Sequence, residues 1–298
     1  MVESTVHYAS CPVCGSDKIG HALYSDDQLI SAKRFDIWEC GNCTLRFTQD
    51  APDKNSIGSY YQSPNYISHS DNNRGLINRI YHLVRKLTLG DKQRLILSAT
   101  GLKTGKLLDI GAGTGFFIKH MQDGGWQTLG LEPDMAARER AALLNKVNLS
   151  APEIIDGLPP ESFHVITMWH VLEHVHNLHH DVRRLKELLK PGGRIFIAVP
   201  NYLSYDAAVY QGGWAAYDAP RHLYHFSPES VKQLLAQHGL QVQSIRTMPY
   251  DSFYIAFLSE KYKKGNLVRG FFIALFSNLR AFVNKEQCSS LIYIVSNI

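Results

Sequence analysis

KLLDIGAGTGFFIKHMQDGGWQTLGLEP, residues 106–133, is the stretch that decides the fold of this 298-residue chain. Residues 107–110 are an apolar run typical of a buried parallel strand, and the apolar residues return at helical spacing over 116–121. A glycine pair ends that helix, and residues 126–131 form a second strand. This order of strand, glycine turn, helix and strand predicts half of a mononucleotide-binding unit, whose ligand lies at the carboxyl ends of the strands.

The turn between the first strand and the helix carries three glycines at alternate positions, Gly111, Gly113 and Gly115. Glycine has no Cβ, so a ligand can cross this turn against bare backbone. The helix behind the turn offers free N–H groups and positive potential to a carboxylate or phosphate. A dinucleotide fingerprint would need its third glycine where Phe116 stands, and the loop is instead D-x-G-x-G-x-G, beginning at Asp109.

This loop resembles motif I of the class I S-adenosyl-L-methionine (SAM) dependent methyltransferases. Residues 162–175, SFHVITMWHVLEHV, resemble the fourth strand of that family and the turn after it. Residues 188–201, LLKPGGRIFIAVPN, resemble its fifth strand. Three motifs in order over residues 104–201 imply an α/β fold with a doubly wound (Rossmann-like), seven-stranded methyltransferase sheet. The alternatives are a NAD-type domain and a non-catalytic relic.

The resemblance also implies a SAM site with named contacts. They are Asp109, Gly111, Gly113 and Gly115 for the methionine end, Glu132 for the ribose, Asp156 for the adenine amino group, and Trp169 in the cofactor pocket. One position departs from the family pattern, because His164 stands where an Asp is usual. That Asp is mostly structural in the family, so we expect SAM binding to survive and the pocket floor to differ.

His170, Glu173 and His174 follow the fourth strand, at a turn that faces both cofactor and substrate in the resembling fold. Their spacing, H-x-x-E-H, is similar to the E-x-x-E-H metal site of ubiquinone-pathway and small-RNA O-methyltransferases, with His170 replacing the first Glu. Imidazole suits transition metals better than magnesium. Three interpretations stay open: a second metal, a histidine general base, and a Glu-His pair that only orders the loop.

The loop after the fifth strand contains GGWAAYDAPRHLYHFS, residues 212–227. Its segment D-x-P-R-H-L-Y-H-F resembles a methyltransferase group of cell-surface glycan and secondary-metabolite pathways. Loops at the carboxyl ends of strands carry function. We predict that Arg221 pairs with a substrate phosphate or carboxylate, and that His222 or His225 takes the proton from an acceptor hydroxyl. The alternative is a packed loop with hydrogen-bonded histidines.

Four cysteines near the start of the chain follow the pattern C-x2-C-x25-C-x2-C: Cys11, Cys14, Cys40 and Cys43. Two such knuckles complete a tetrahedral zinc site, and a closed four-thiolate site is structural. Disulfides or a redox C-x-x-C are disfavoured by a cytosolic context. The predicted division is a zinc-ribbon module at 1–50, a helical bridge at 51–103 and a methyltransferase domain at 104–298, with a substrate loop at 201–227.

The bridge contains a tyrosine cluster and a basic helix. Tyr60, Tyr61 and Tyr66 either line the active site as a lid or simply pack. Residues 76–97 have helical periodicity with five basic side chains, Arg79, Arg85, Lys86, Lys92 and Arg94. These basic residues either form a solvated face or attract an anionic substrate.

The formal net charge of +4 is too weak to indicate nucleic-acid binding by itself. The chain shows neither an apolar signal core nor a stretch of membrane-spanning length, which predicts a cytoplasmic enzyme. Residues 267–283 are apolar but interrupted by charge, and lysines precede them from residue 261. Such a segment can contact the inner face of a membrane peripherally, form an oligomer face or act as a lid.

The leading interpretation is a SAM-dependent methyltransferase with a structural Zn²⁺ in its N-terminal ribbon. The acceptor is predicted to be a small molecule or glycan-linked, and histidine assists transfer if the acceptor group is a hydroxyl. One alternative is an RNA methyltransferase that uses the ribbon to bind RNA. Another is a non-catalytic SAM-binding or membrane-docked scaffold. The oligomeric state is left open.

Overall fold

The computed structural model describes residues 4–62 and 76–298, without the side chains of residues 76–87. Tyr66 therefore lies outside the described residues, and so do the side chains of Arg79, Arg85 and Lys86. Helix α1 covers Leu76–Thr100, which confirms the helix predicted for the bridge.

The N-terminal part is a small antiparallel β structure. Its strands are β1 (Thr5–Val6), β2 (Ile19–Asp26), β3 (Arg34–Cys40), β4 (Arg46–Thr48) and β5 (Ala51–Pro52). Strands β2, β3 and β4 form one sheet in that order, while β1 pairs with β5. The two cysteine pairs occupy the turn before β2 and the turn between β3 and β4, as expected for a ribbon.

The larger part is an α/β sandwich. Its first half contains β6 (Lys106–Ile110), α2 (Phe116–Asp123), β7 (Gln127–Leu131), α3 (Met135–Arg140), β8 (Phe163–Trp169), α4 (Leu178–Leu188) and β9 (Leu189–Pro200). Its second half contains α5 (Tyr205–Tyr210), β10 (Tyr224–His225), α6 (Pro228–Ala236), β11 (Leu240–Thr247), α7 (Pro249–Tyr262), α8 (Leu267–Val283) and β12 (Ser290–Asn297).

The central sheet has the order β11-β12-β9-β8-β6-β7. Its inner strands are parallel and β12 runs antiparallel to both of its neighbours, which confirms the doubly wound α/β fold. The prediction of seven strands was wrong for the described residues, because the sheet has six. A single parallel bridge between Leu131 and Ser150 occupies the seventh position. Pro152 starts a short 3₁₀ helix two residues later, which leaves no room for a longer strand.

The ribbon and the α/β part share a hydrophobic core. Cys11, Leu45 and Phe47 pack in the same buried cluster as Leu172 and Leu223. Strand β10 comes from the loop after β9, yet it completes the ribbon sheet by pairing with β4. The predicted boundaries at residues 50 and 103 stay predictions, but the ribbon directly supports the loop that was expected to contact the substrate.

Candidate cofactor and acceptor site

The glycine loop has the backbone that its sequence requires. All three glycines have positive φ, +71° at Gly111, +56° at Gly113 and +77° at Gly115. A Cβ at Gly111 would collide with Val171, and one at Gly115 would collide with Val147. A Cβ at Gly113 would meet nothing within 4 Å. Gly113 is thus the position at which the backbone faces open space, where a ligand can approach it.

Glu132 closes the loop from the end of β7. Its Oε2 accepts a hydrogen bond from the Gly113 N–H at 2.8 Å, and its Oε1 accepts one from the Asp134 N–H at 2.9 Å. Each carboxylate oxygen has two lone pairs and can accept a further donor. Glu132 therefore holds the loop, while its contact with ribose stays a prediction.

Asp109, near the carboxyl end of β6, and Lys92 are close enough for their charges to interact. The Thr167 hydroxyl donates to Asp109 at 2.6 Å. Burial raises the pKa of Asp109 to about 7, and burial lowers the pKa of Lys92 to about 8. The interpretation of the basic residues as a solvated face was wrong for Lys92, whereas Arg94 is exposed and pairs with Asp91. An ammonium group beside the glycine loop suits an anionic ligand.

Trp169 ends β8, and its ring contacts Lys92 and Phe117. The Lys92 Nζ lies 4.3 Å from the centroid of the Trp169 ring, and the Phe117 ring packs edge-on at 5.6 Å. The indole Nε1 is buried and has no acceptor among the described residues. Buried polar groups almost always have partners, so this N–H is suited to a ligand acceptor. That placement agrees with the prediction for Trp169 without testing it.

Asp156 contacts side chains of α4, and His164 contacts the start of β6. The Asp156 side chain is 60% exposed, and its Oδ1 lies 3.3 Å from His180 Nε2 and 3.7 Å from Arg184 Nε. Its contact with adenine stays a prediction. His164 is near the amino end of β8, where its Nδ1 accepts the Lys106 N–H at 3.0 Å. The His164 position is therefore a structural one at the edge opposite to the ligand.

His170 is held between two carboxylates. Its Nε2 lies 2.9 Å from Asp251 Oδ2, and its Nδ1 lies 3.4 Å from Glu173 Oε1. Burial lowers the pKa of His170, but the bonds with Asp251 and Glu173 outweigh it and raise the pKa to about 10. An imidazolium has no lone pair. Because both ring nitrogens face carboxylates, the geometry favours a positioning role for His170, and its catalytic role stays a prediction.

Glu173, His174 and His222 form a second group, which we term the EHH cluster. One donor atom from each lies within 4.8 Å of the others. Glu173 is completely buried, and neither of its oxygens has a hydrogen-bond partner among the described residues. One carboxylate and two imidazoles are a donor set that zinc or another transition metal accepts. The sequence suggested His170, Glu173 and His174 as possible metal ligands. In the structure, His222 and not His170 lies beside Glu173 and His174.

The two histidines of the EHH cluster share an orientation. The His174 Nδ1 lies 3.0 Å from the Arg221 carbonyl oxygen, and the His222 Nδ1 lies 2.8 Å from the Ala216 carbonyl oxygen. A carbonyl only accepts, so each Nδ1 carries the proton and each Nε2 keeps a lone pair. Burial, together with His174, lowers the pKa of His222 to about 4, which keeps it neutral. Both imidazoles therefore present a lone pair that can bind a metal, while burial disfavours proton uptake by His222.

His225 and Arg221 have structural positions between the ribbon and the loop. His225 is buried, and its Nε2 lies 3.1 Å from the Thr48 hydroxyl. The prediction that Arg221 binds a substrate anion was wrong. Its side chain is 1% exposed, and its guanidinium pairs with Asp27 at 3.1 Å and with Asp218 at 2.7 Å. Two carboxylates already neutralise its charge.

The four ribbon cysteines converge with the geometry of a metal site. The Sγ atoms of Cys11 and Cys43 are 3.4 Å apart, and those of Cys14 and Cys40 are 3.6 Å apart. These distances exclude disulfides and approach the edge of a tetrahedron with zinc–sulfur bonds of about 2.3 Å. All four donor atoms lie within 4.8 Å of one another. The residues fit a structural Zn²⁺.

Sequence reasoning did not separate Lys92 from its basic neighbours, and it overlooked Asp251. Lys92 is half-buried, and its Nζ lies over the Trp169 ring at the end of β8. Asp251 follows β11, which runs parallel to β9 because β12 is antiparallel to both. Its carboxyl end therefore lies at the same edge as those of β6 and β8, and this topological signal could have indicated Asp251.

A doubly wound sheet with a glycine loop and an acidic residue at the end of the second strand is the architecture of the methyltransferase class. The chain belongs to the methyltransferase domain family, described as "Methyltransferase domain", which matches residues 82–245. It is 30% identical over 158 residues to the ubiquinone biosynthesis O-methyltransferase of Nitrosospira multiformis, covering 49% of this chain and 66% of that one. It is 26% identical over 164 residues to the mitochondrial ubiquinone biosynthesis O-methyltransferase of Rattus norvegicus, covering 50% and 48%.

Each of these two relatives is therefore matched over less than two thirds of its length. A solved structure of a SAM dependent methyltransferase from Archaeoglobus fulgidus has the same fold, with a TM-score of 0.50 and 18% identity. The alignment covers 72% of this chain and 94% of that one.

Proposed function

We propose that this protein transfers the methyl group of SAM to a hydroxyl of a small-molecule acceptor. The observation that carries the proposal is the contact between the glycine loop and the turn that carries the EHH cluster. A Cβ at Gly111 would touch Val171, and the turn after Val171 carries Glu173 and His174. The loop expected to hold SAM and the EHH cluster therefore adjoin at one edge of the sheet. The O-methyltransferase relatives support an oxygen acceptor, and a glycan-linked acceptor is compatible with the same chemistry.

In this proposal SAM supplies a methyl group activated by its sulfonium, and the chain's own residues supply the positioning. The Gly113 backbone approaches the methionine end, Glu132 accepts hydrogen bonds from the ribose hydroxyls, and Lys92 pairs with the methionine carboxylate. Trp169 donates its unpartnered N–H within the pocket.

The EHH cluster would remove the acceptor proton. His174 can take it at Nε2 as a general base, whereas burial disfavours a protonated His222. A divalent metal bound by Glu173, His174 and His222 would instead lower the pKa of the acceptor hydroxyl. The convergence of one carboxylate and two imidazoles supports the metal. The four ribbon cysteines are proposed to hold a separate, structural Zn²⁺.

The cofactor site is tested by Gly113→Ala with Gly192→Ala as its matched control. Both glycines have positive φ, +56° and +76°, and in both an added Cβ meets nothing within 4 Å. Each substitution should cost about 1–2 kcal/mol of stability because L residues are strained in that conformation. Only the methyl at Gly113 would occupy the proposed ligand space. We expect calorimetric SAM affinity to fall about tenfold or more for Gly113→Ala and to stay unchanged for Gly192→Ala. Equal affinities would remove the loop from the SAM site.

Lys92→Gln tests the carboxylate contact. We expect SAM affinity near pH 7 to fall roughly tenfold, because the variant loses the free energy of one charge-assisted hydrogen bond. Because the protonated ammonium binds, wild-type affinity should fall as the pH rises through about 8, where burial places the pKa of Lys92. The variant should lack this part of the pH dependence, whereas titration of SAM itself affects both proteins equally. Lys103→Gln, at an exposed position, is the control. A pH profile identical in wild type and variant would contradict the assignment.

An RNA acceptor and a non-catalytic SAM-binding scaffold stay predictions. Turnover on phenolic or sugar hydroxyls would exclude the scaffold, and RNA methylation with salt-dependent binding would favour the RNA acceptor.

A further inference from the structure

Helix α8 (Leu267–Val283) is apolar on the side that faces solvent. Small or apolar residues bury its other side against the protein, namely Gly270, Ile273, Ala274, Ser277 and Ala281. Nine large apolar side chains are exposed, namely Leu267, Val268, Phe271, Phe272, Leu275, Phe276, Leu279, Phe282 and Val283. Phe282 is 90% exposed and Val283 is 88% exposed. A helix that is apolar all round is normally covered on all sides.

The exposed residues form one continuous stripe. With about 100° of rotation per residue, the nine side chains fill an arc of roughly 180° opposite the buried face. Arg269 and Arg280 lie next to each other on one flank of this arc, and α8 contains no acidic residue. The Arg280 guanidinium lies over the Tyr205 ring at 5.1 Å, and Arg269 pairs with Glu260 at 2.7 Å. The stripe is therefore edged by cations held in place by the protein.

The charges around the stripe have one sign. Between residues 249 and 285 the exposed charged residues are all basic: Lys261, Lys263, Lys264, Arg269, Arg280 and Lys285. The two acidic residues of this segment face inward. Asp251 pairs with His170, and the fully buried Glu260 accepts from Tyr210 and Arg269. The surface thus combines an apolar stripe with a basic border.

We propose that this α8 surface docks on an anionic lipid bilayer. The stripe would enter the boundary between headgroups and acyl chains, while the basic border contacts lipid phosphates. A second copy of the chain fits less well, because an isologous contact would bring the same six cations against their equivalents. Among the described residues no helix has the length and apolarity to cross a membrane, so the contact is a surface one. This inference does not depend on the proposed methyl transfer.

Vesicle co-sedimentation of the full chain tests the docking. The probe is phosphatidylcholine vesicles with about one third phosphatidylglycerol, compared with phosphatidylcholine alone. We expect binding to the anionic vesicles that weakens at high salt. Phe282→Gln combined with Val283→Gln should reduce the partition coefficient about tenfold or more, because two exposed apolar side chains are lost.

Leu143→Gln combined with Leu144→Gln is the matched control, since these side chains are 70% and 56% exposed at the end of another helix. Lys261→Glu combined with Lys264→Glu should remove the preference for anionic lipid. Equal partition of wild type and the Phe282–Val283 variant would overturn the proposal. A second result would also overturn it: wild type binds neither vesicle, and sedimentation velocity shows a dimer that the Phe282–Val283 variant does not form. The stripe would then be covered by a second copy of the chain.

Discussion

Cys40→Ser is expected to release the ribbon metal and to unfold the N-terminal module. A module of some fifty residues has too little core to fold alone, and binding free energies of structural zinc reach about 10 kcal/mol or more. Cys40 ends β3 and is fully buried, and its Sγ lies 3.6 Å from that of Cys14. We expect the variant to contain less than one zinc per chain and to lose hydrogen-exchange protection in β2–β4. A chelator should reproduce both effects on wild type.

Cys288→Ser is the matched control for this experiment. Cys288 is also a fully buried cysteine, but it lies outside the ribbon cluster. Its replacement should cost about 1–2 kcal/mol as a buried polar substitution while the metal content stays unchanged. Retention of one zinc and of normal exchange protection in Cys40→Ser would refute a structural zinc site.

Loss of the ribbon should also separate SAM binding from turnover. The Thr48 hydroxyl donates to the His222 carbonyl at 2.7 Å, and the Thr48 N–H donates to the Leu223 carbonyl at 2.9 Å. Unfolding of β4 therefore removes two hydrogen bonds to the predicted substrate loop at 201–227. The glycine loop and Glu132 have no such bond to the ribbon among the described contacts. We expect the affinity for SAM to change little and turnover to be lost.

Glu173→Gln is expected to give the largest loss of activity by a substitution that preserves shape. The amide removes the negative charge that faces His170, His174 and His222. If the EHH cluster binds a metal, it also removes the only anionic ligand. We expect turnover to fall about a hundredfold or more, in line with the several kcal/mol that such a site contributes. The affinity for SAM should change less than about threefold. Glu153→Gln, at an exposed position, should have neither effect.

The same variant changes the pH dependence of stability. The pKa of His170 is raised to about 10 in the folded protein, above its unfolded value of about 6.5. The stabilisation from this group is complete below the unfolded pKa and is lost as the pH rises through the folded pKa. Wild type should therefore lose stability between about pH 6.5 and 10 in urea unfolding. Glu173→Gln should show a smaller loss, since one carboxylate partner is gone.

Wild-type turnover in Glu173→Gln would exclude the EHH cluster from the reaction.

Local patterns in the sequence predicted much of this fold. The glycine loop was predictable because its conformation depends on residues within one turn. The start of α6 was predictable because Ser227 caps it through the Ser230 N–H at 3.1 Å. The apolar segment at 267–283 coincides with α8. In each case the decisive interactions lie within a few residues in sequence.

Contacts between distant segments were not predictable in the same way. Nothing near Tyr224 indicates that β10 belongs to the ribbon sheet, because its partner Phe47 lies far earlier in the chain. Arg221 looked like an anion-binding residue until Asp27 was found beside it. Lys92 looked solvated because helical spacing does not show which face meets the sheet. The imidazolium state of His170 likewise depends on Asp251, a partner 81 residues away.

The pairing of β4 with β10 has a consequence for biosynthesis. Strand β4 leaves the ribosome early, but its partner Tyr224–His225 is made only after most of the α/β part. Until then the nascent ribbon has an unpaired edge, which is a template for wrong association. Such non-local pairing also slows folding. Early metal capture would hold the cysteine knuckles while the chain lengthens, so cellular zinc supply would set the yield of native enzyme as much as its final stability.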